Sequence, residues 1–306
     1  MDLINQIKKL KKEKNAIILT HCYQNIEIDE VSDFVGDSLY LSKMAAKTDA
    51  EIIVFAGVFF MAQSAKLLSP QKKVLLPNKN SGCLMADMID LENLKIFKQK
   101  HPNIPVVCYI NSNAEIKANC DICCTSSNAV EVVRSLKTDK VLFVPDTYLG
   151  KYVESKLENT KVITFNGFCP THLRIRVEDI EQARKTYKDA LILAHPECHQ
   201  EIVKRADFTG STKEIMEFAK NSSCKHFIIA TEKGVVDRLN RDSKLNNWNK
   251  KFTLINENIT CPNMKKNTLE DIYQTLLTES NEIILDKEII EPAKNCIEKM
   301  LQLKTN

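Results

Sequence analysis

The chain has 306 residues, of which 43% are hydrophobic and 27% charged, which is typical of a globular protein with two or three compact domains. Its 43 Lys and Arg residues against 40 Asp and Glu residues give a net charge of +3, and no basic stripe interleaved with aromatic residues suggests nucleic-acid binding. No stretch approaches the ~20 apolar residues of a membrane span, and the apolar run from Ala16 to Leu19 is too short for a signal peptide. We therefore expect a cytoplasmic protein that contacts neither membrane nor nucleic acid.

Similar segments of about 87 residues follow one another along the chain. Each begins with a helix that leads into an apolar strand, and these helices are predicted over Leu3 to Lys14, Leu91 to Lys100 and Val177 to Lys188. Two helices, a second apolar strand, another helix and a third strand complete each unit. We predict units over residues 1–86, 87–172 and 173–267, with a helical tail over residues 268–306 that packs on the outside of the first unit.

Strands that alternate with helices and are apolar without interruption indicate parallel sheets covered on both faces. We therefore predict an α/β fold of three repeated three-layer α/β/α units, whose small parallel sheets are arranged with pseudo-threefold symmetry around a central active site. In such sheets the ligand site lies beyond the carboxyl ends of the strands. Polar and thiol side chains should therefore converge there from all three units.

The third strand of every unit is followed by a turn and one cysteine, which is Cys83, Cys169 or Cys261. A structural zinc site usually takes four ligands, whereas three thiolates from three distant loops leave one coordination position open. Such a set suits a [4Fe–4S] cluster, whose free iron would act as a Lewis acid on a substrate oxygen and assist loss of water. The alternative is three unrelated buried cysteines, and the equivalent position of each thiol in its unit argues against it.

The remaining cysteines are interpreted as small buried hydrophobic residues. The segment from Cys120 to Cys124 contains the C-x-x-C spacing that metal and redox sites use. No other unit contains a matching pair, so local packing is favoured here as well. The isolated members of this group are Cys22, Cys108, Cys198, Cys224 and Cys296.

Polar pairs end the first strand of each unit. They are His21 with Tyr23, Tyr109 with Asn111, and His195 with Glu197. Residues i and i+2 of a strand share a face, so each pair can point into one site. Imidazole, phenol and carboxylate groups cover a wide range of pKa values, which suits repeated proton transfers.

A hydroxyl residue also opens a helix at equivalent places in the three units, namely Ser38, Ser126 and Thr212. These residues fit helix N-caps, where the hydroxyl accepts from free backbone N–H groups. Helix starts of this kind also bind carboxylate or phosphate groups. Three of them around one pocket would suit a substrate with several acidic groups.

Motifs from His21 to Leu269, in this order, resemble those of the quinolinate synthase family. They are His21-Cys22-Tyr23-Gln24, Asp33-Phe34-Val35-Gly36-Asp37-Ser38-Leu39, Gly57-Val58-Phe59-Phe60-Met61-Ala62, Leu76-Pro77 with Gly82-Cys83, Tyr109-Ile110-Asn111-Ser112, Thr125-Ser126-Ser127-Asn128-Ala129, Gly167-Phe168-Cys169-Pro170-Thr171-His172, His195-Pro196-Glu197-Cys198 and Cys261-Pro262-Asn263-Met264-Lys265. The resemblance implies condensation of iminoaspartate (iminosuccinate) with dihydroxyacetone phosphate to quinolinate, phosphate and water, in the biosynthesis of NAD. It also implies a [4Fe–4S] cluster on Cys83, Cys169 and Cys261.

The resemblance further implies catalytic roles and contacts with the substrate or product. Glu197 would be the central general acid and base, Tyr23 and Tyr109 would relay protons, and the free iron would hold the oxygen lost in the final dehydration. His21 and His195 would also be catalytic. The residues implied to contact the substrate or product are His21, Ser38, Tyr109, Ile110, Asn111, Ser126, His195, Pro196, Glu197 and Thr212. An aspartate-oxidising enzyme would supply the iminoaspartate.

Two other functions compete with this one. A [4Fe–4S]-dependent hydro-lyase acting on a small hydroxy acid would need the same cysteines, but would form no pyridine ring. A non-catalytic binding scaffold stabilised by zinc or by a cluster would explain the cysteines alone. It gives no reason for the polar pairs at Tyr109 and His195.

Overall fold

The computed structural model describes residues 2–303, so Met1 and the last residues of the predicted tail, 304–306, lie outside the described residues. Helices and strands alternate through the first unit. They are α1 (Leu3–Glu13), β1 (Ala16–His21), β2 (Phe34–Gly36), α2 (Ser38–Lys47), β3 (Ile52–Ala56), α3 (Phe59–Leu68) and β4 (Lys73–Leu75). Short 3-10 helices over Ile26–Glu30 and Ala86–Met88 lie in its loops.

The second and third units repeat this order with one more helix each. The second comprises α4 (Leu91–Lys100), β5 (Val106–Tyr109), α5 (Ala114–Ala118), β6 (Ile122–Cys124), α6 (Ala129–Ser135), β7 (Lys140–Val144), α7 (Thr147–Glu154) and β8 (Lys161–Thr164). A 3-10 helix over His172–Arg174 follows. The third comprises α8 (Val177–Thr186), β9 (Leu191–Ala194), α9 (Gln200–Arg205), β10 (Phe208–Thr209), α10 (Thr212–Asn221), β11 (His226–Ala230), α11 (Lys233–Leu245) and β12 (Lys251–Leu254).

Each unit contains its own parallel sheet, and the strand order is the same in all three. The orders are β2-β1-β3-β4, β6-β5-β7-β8 and β10-β9-β11-β12. The central strands are buried along nearly their whole length, because helices cover both faces of each sheet. The predicted α/β fold of three repeated units is therefore confirmed. The unit boundaries at residues 86, 172 and 267 stay a prediction.

The prediction of three strands in a unit is wrong, because every sheet has a fourth, edge strand: β2, β6 or β10. These strands are two or three residues long, too short for any periodicity to show. An aspartate just before each edge strand attaches it to its neighbour by accepting a hydrogen bond from a backbone N–H of the central strand. The pairs are Asp33 with Ile18, Asp121 with Val106, and Asp207 with Ile192, each at 2.7 Å.

The tail forms α12 (Leu269–Thr278) and α13 (Lys287–Gln302), which pack in different places. Helix α12 lies against α1, where Ile272 and Leu276 share a buried cluster with Ile7. Helix α13 packs against α3, α5 and β6, so it contacts both the first and the second unit. Within residues 2–303, no helix is both long enough and apolar enough to cross a membrane.

Candidate functional site

One pocket collects the strand ends of all three sheets, and its empty volume is about 910 Å³ including its opening to solvent. Pro196 is the one predicted site residue that does not line it, although this residue is buried beside its neighbours His195 and Glu197. The predicted residues that do line the pocket are His21, Tyr23, Ser38, Cys83, Tyr109, Ile110, Asn111, Ser126, Cys169, His195, Glu197, Thr212 and Cys261. The expected convergence of the three units on one site is therefore present in the structure.

The predicted N-caps, by contrast, are wrong at all three positions. Helix α2 is capped by Asp37, whose Oδ1 accepts from the backbone N–H of Tyr40 at 2.9 Å. Helix α10 is capped by Ser211, in a reciprocal pairing with Glu214. The cap residue of α6 is Asn128. Ser38 and Thr212 are thus the first residues inside their helices, and Ser126 precedes its helix, so these hydroxyls are not used as caps.

Three polar side chains that line the pocket lack protein partners. Within the part of the chain that the structure describes, no hydrogen bond is made by the side chains of Ser38, Asn111 or Ser126. Polar groups in partly buried positions are normally paired with protein, water or a ligand. These three groups are therefore available to hydrogen-bond a molecule in the pocket.

The three pocket cysteines lie within electrostatic range of one another. Burial raises the pKa of the Cys83 thiol to about 12, and the Cys261 thiol adds to the rise. Burial also raises the pKa of Cys169 well above its ordinary range, with further contributions from Glu197, Cys261 and Cys83. All three side chains are protonated at neutral pH in the absence of metal, so metal binding must displace their protons.

Contacts with distant segments fix the loops that bear these thiols. A Cβ on Gly167 would lie 2.5 Å from the backbone oxygen of Pro145, so the turn before Cys169 requires glycine. The backbone N–H of Cys261 donates to the fully buried Glu232 carboxylate at 3.2 Å. Lys265 forms an ion pair with Glu232 at 3.2 Å, which compensates this buried negative charge.

Glu197 lies at the centre of the polar network and is 3% exposed. The Tyr109 hydroxyl donates to its Oε1 at 2.5 Å, and Nδ1 of His172 lies 2.8 Å from its Oε2. Burial alone would raise the pKa of this carboxyl, but the His172 and His195 rings and the two hydrogen bonds lower it to about 2. Glu197 is therefore ionised, and Tyr109, whose pKa is raised by burial and by Glu197, is protonated.

A hydrogen-bonded chain connects Glu197 with Tyr23. Because Nδ1 of His172 donates to the carboxylate, the Nε2 atom, 2.9 Å from the Thr231 Oγ1, accepts from that hydroxyl when the ring is neutral. The Thr231 Oγ1 lies 3.0 Å from the Tyr23 hydroxyl, which is also 2.9 Å from the Oγ1 of Thr212. Tyr23 is therefore linked through Thr231 and His172 to the same carboxylate that Tyr109 contacts.

His172 and Thr231 were not among the predicted site residues. His172 follows Cys169 by three residues, so its place beside a predicted metal ligand is the one signal in the sequence that pointed to it. Thr231 directly follows β11, at the same sheet edge as the predicted residues. Their roles depend on contacts between different units, which no local pattern shows.

The two strand-end histidines have the same local geometry. Nδ1 of His21 accepts from the backbone N–H of Tyr23 at 3.1 Å, and Nδ1 of His195 accepts from that of Glu197 at 3.3 Å. Burial lowers the pKa of both rings to about 3, so both are neutral near pH 7. In a neutral ring whose Nδ1 accepts, Nε2 carries the hydrogen, and each histidine therefore offers one N–H donor.

A second arrangement of possible metal ligands is also present. The ligand atoms of Cys169, His172 and Glu197 all lie within 4.8 Å of one another. Both ring nitrogens of His172 are already hydrogen-bonded, however, Nδ1 to Glu197 and Nε2 to Thr231, so neither is free to bind a metal in this arrangement. The three thiols are the better ligand set for a cluster, because each would bind a different iron and none needs to touch another.

The fold and the pocket together define an α/β enzyme with a buried site for a small molecule, lined by thiols and acid–base groups. The family model described as "Quinolinate synthetase A protein" matches residues 5–302. The chain is 51% identical over 303 residues to a quinolinate synthase of Alkaliphilus metalliredigens, with 99% of each chain covered. It is 50% identical to that of Caldicellulosiruptor bescii (98% of each chain) and 48% identical to that of Clostridioides difficile (99% of this chain and 98% of the relative).

The chain therefore belongs to the quinolinate synthase family, as the motifs of the sequence predicted. The non-catalytic scaffold is not retained, because the relatives are named as enzymes.

Proposed function

We propose that this enzyme condenses iminoaspartate with dihydroxyacetone phosphate in the cytoplasm, forming quinolinate for the biosynthesis of NAD and releasing phosphate and water. The observation that carries the proposal is the meeting of three thiols with the Tyr109–Glu197–His172 network in one pocket. Family membership and the sequence motifs support this choice of substrates. Because iminoaspartate is unstable in water, an aspartate-oxidising enzyme would have to supply it.

The proposed cofactor is a [4Fe–4S] cluster held by Cys83, Cys169 and Cys261. The donor set fits, because thiolates are the usual ligands of iron–sulfur clusters and three of them leave one iron without a protein ligand. The raised pKa values of the thiols mean that loading the cluster would release protons. When bound, the cluster would supply a Lewis acid.

The acidic groups of the substrates would be bound by neutral donors. The Nε2–H groups of His21 and His195 and the unpaired side chains of Ser38, Asn111 and Ser126 face the same pocket. Hydrogen bonds from neutral donors to carboxylates are charge-assisted and orient their acceptors strongly. This set of donors therefore suits a ligand with two carboxylates, such as quinolinate.

Proton transfer would use the buried network. The ionised Glu197 would accept a proton from a substrate carbon or nitrogen. Tyr109 would donate its hydroxyl proton to a substrate atom on which negative charge develops. The chain through His172 and Thr231 would let Tyr23 pass a proton to Glu197, which is the direction in which its hydrogen bonds donate. Several proton transfers in one reaction would use such a route, because it connects two tyrosines with one buried carboxylate.

Anaerobic purification followed by iron and sulfide counts and an assay with both precursors tests the proposal. We expect a brown protein that forms quinolinate, and loss of iron from the Cys83→Ala, Cys169→Ala and Cys261→Ala variants. Cys224→Ala, which removes a half-buried thiol outside the pocket, should retain iron and activity. A fully active, colourless variant at any of the three ligand positions would refute the cluster.

The hydro-lyase alternative is separated by the product. Such an enzyme would interconvert a small hydroxy acid and its dehydrated form, and would yield no pyridine dicarboxylate from the two precursors. Iron-loaded protein that fails to form quinolinate but dehydrates a hydroxy acid would therefore replace the proposed reaction and leave the cluster in place.

A further inference from the structure

A second group of thiols lies in the second unit, and none of its members lines the pocket. Cys108 on β5 is paired in register with Cys123 on β6, and Cys123 Sγ is 3.4 Å from Cys296 Sγ on α13. Cys108, Cys123 and Cys296 are buried, whereas Cys120 is half-buried. We call these four residues the thiol cluster. Cys123 and Cys296 lie where α13 packs against β6.

A buried lysine lies beside the thiol cluster. Lys117 is fully buried and, within residues 2–303, forms no ion pair with a carboxylate. Its Nζ donates to the backbone oxygen of Ser112 and lies 5.4 Å from the centre of the Phe60 ring. Burial lowers the pKa of Lys117, and its interactions with the four thiols oppose that fall. A buried ammonium group needs a negative partner, and a thiolate in the cluster is the partner that the structure offers.

The charge of Lys117 decides between a metal site and an oxidation site. An ammonium group among the sulfur atoms disfavours a bound cation and favours a thiolate. Among the described residues, the thiol cluster also forms no set of three ligand atoms that all lie within 4.8 Å of one another, as a single ion would require. A disulfide needs only a contacting pair, and the sulfurs of Cys123 and Cys296 must approach from 3.4 Å to about 2.05 Å.

We propose that the thiol cluster is a site of reversible oxidation by small hydroperoxides, in which a disulfide between Cys123 and Cys296 attaches the C-terminal helix α13 to the edge strand β6. The reactive sulfur is Cys108, which lies beside Cys123 on the neighbouring strand and can therefore, once oxidised, form a disulfide with that thiol. The neighbouring thiols and Lys117 lower the pKa of Cys108, although burial opposes them. The half-buried Cys120 marks the side from which a small oxidant enters.

The chemistry balances in three steps. The Cys108 thiolate attacks one oxygen of hydrogen peroxide, which breaks the O–O bond and, with one proton, yields a sulfenic acid and water. The Cys123 thiol condenses with the sulfenic acid, forming a Cys108–Cys123 disulfide and a second water. The Cys296 thiol then attacks the Cys123 sulfur, which forms the Cys123–Cys296 disulfide and returns Cys108 as a thiol. In sum, two thiols are oxidised and one peroxide is reduced to two waters.

The test uses the full chain, purified anaerobically with its metal centre intact, and limited hydrogen peroxide. After thiols are blocked by alkylation, mass spectrometry without reduction should show a peptide pair joined through Cys123 and Cys296, which dithiothreitol separates. Fragment spectra together with a Cys123→Ala variant distinguish Cys123 from its neighbours Cys120 and Cys124. The same spectra show whether Cys83, Cys169 or Cys261 is oxidised. Damage to the proposed cofactor site is thereby distinguished from oxidation of the thiol cluster.

Variants test the order of the steps. Cys296→Ser should lose the Cys123–Cys296 link and accumulate the Cys108–Cys123 disulfide, and Cys224→Ser should behave like the wild type. Lys117→Met, which keeps an unbranched buried side chain, should slow the formation of the link by at least about tenfold. Absence of the link in folded wild-type protein, or an unchanged rate in a folded Lys117→Met variant, would overturn the proposal. If Lys117→Met does not fold, Cys108→Ser serves instead, and a link formed there at the wild-type rate is the refuting result.

Discussion

Replacing the central carboxylate, Glu197→Gln, separates a catalytic role from a structural one. Gln has the same size, and its amide oxygen can still accept the hydrogen bond that the Tyr109 hydroxyl donates at 2.5 Å. What it loses is the negative charge opposite His172 and the ability to take up a proton at neutral pH. We therefore expect the shape of the pocket to be retained while the proton acceptor is lost.

The expected magnitude follows from the burial of the site. A positioned general acid–base typically contributes 10² to 10⁴ in rate, so kcat for quinolinate formation should fall by at least about a hundredfold. Removal of one partner from a buried charged contact costs about 1 to 3 kcal/mol, while removal of the desolvated charge returns part of that cost. The free energy of unfolding should therefore change by no more than about 2 kcal/mol.

The assay measures quinolinate under anaerobic conditions, with iron content determined on the same samples. Glu201→Gln is the matched control, because Glu201 lies on α9 close to Glu197 in the chain and its side chain is 45% exposed. This control should retain wild-type kcat. If Glu197→Gln is iron-loaded and folded and its kcat stays within about tenfold of the wild type, Glu197 is not the general acid–base.

Three further outcomes follow from the structure. His21 and His195 are neutral in the fold, because their pKa is about 3 there and 6.5 in the unfolded chain. The stability that they contribute above pH 6.5 is therefore lost as the pH falls toward 3. Urea unfolding should show a loss of about 4 kcal/mol in the free energy of unfolding between pH 7 and pH 5, and a smaller loss in the double variant His21→Asn/His195→Gln. Thr231→Val should lower kcat by about 10 to 100-fold with little change in KM, because the route to Tyr23 is broken. Asp121→Ala should lower the free energy of unfolding by about 1 to 3 kcal/mol.

Each of these outcomes has a result that contradicts it. An equal acid loss in wild type and double variant would mean that folding does not lower the pKa of the two histidines. A Thr231→Val enzyme with wild-type kcat would show that Tyr23 does not exchange protons through His172. A stability of Asp121→Ala equal to that of Lys137→Ala, a surface variant of the same unit, would mean that the Asp121 hydrogen bond contributes nothing net.

The sequence predicted the sheets because their central strands are continuous apolar runs between helices. It did not predict β2, β6 and β10, since pairs or triplets of residues have no period and the aspartates that attach them act across 15 residues of chain. The cap residues were assigned one position too late at α2 and α10, because Asp37 and Ser38, like Ser211 and Thr212, are adjacent residues that can both cap. Only the geometry of the first turn decides between them.

The meeting of the predicted residues in one pocket followed from topology, whereas their roles stay a prediction. His21, Tyr109 and His195 end equivalent central strands, and parallel sheets collect such ends at one edge. His172 and Thr231 act through contacts between the second and third units, so no spacing within one unit marks them. The contact of Cys123 with Cys296 bridges 173 residues, which explains why the C-x-x-C segment was interpreted as local packing.

The charges of the pocket determine how it could bind an anionic ligand such as the proposed substrates. Arg174 is the one lysine or arginine among the lining residues, and its guanidinium is engaged by the backbone oxygens of Asn258 and Thr260. Anions in the pocket would therefore rely on imidazole N–H groups, hydroxyls and the start of α2 rather than on cations. Such donors are fixed in direction and are weakened less by salt than surface ion pairs are. A site of this kind favours a correctly oriented dicarboxylate over anions in general.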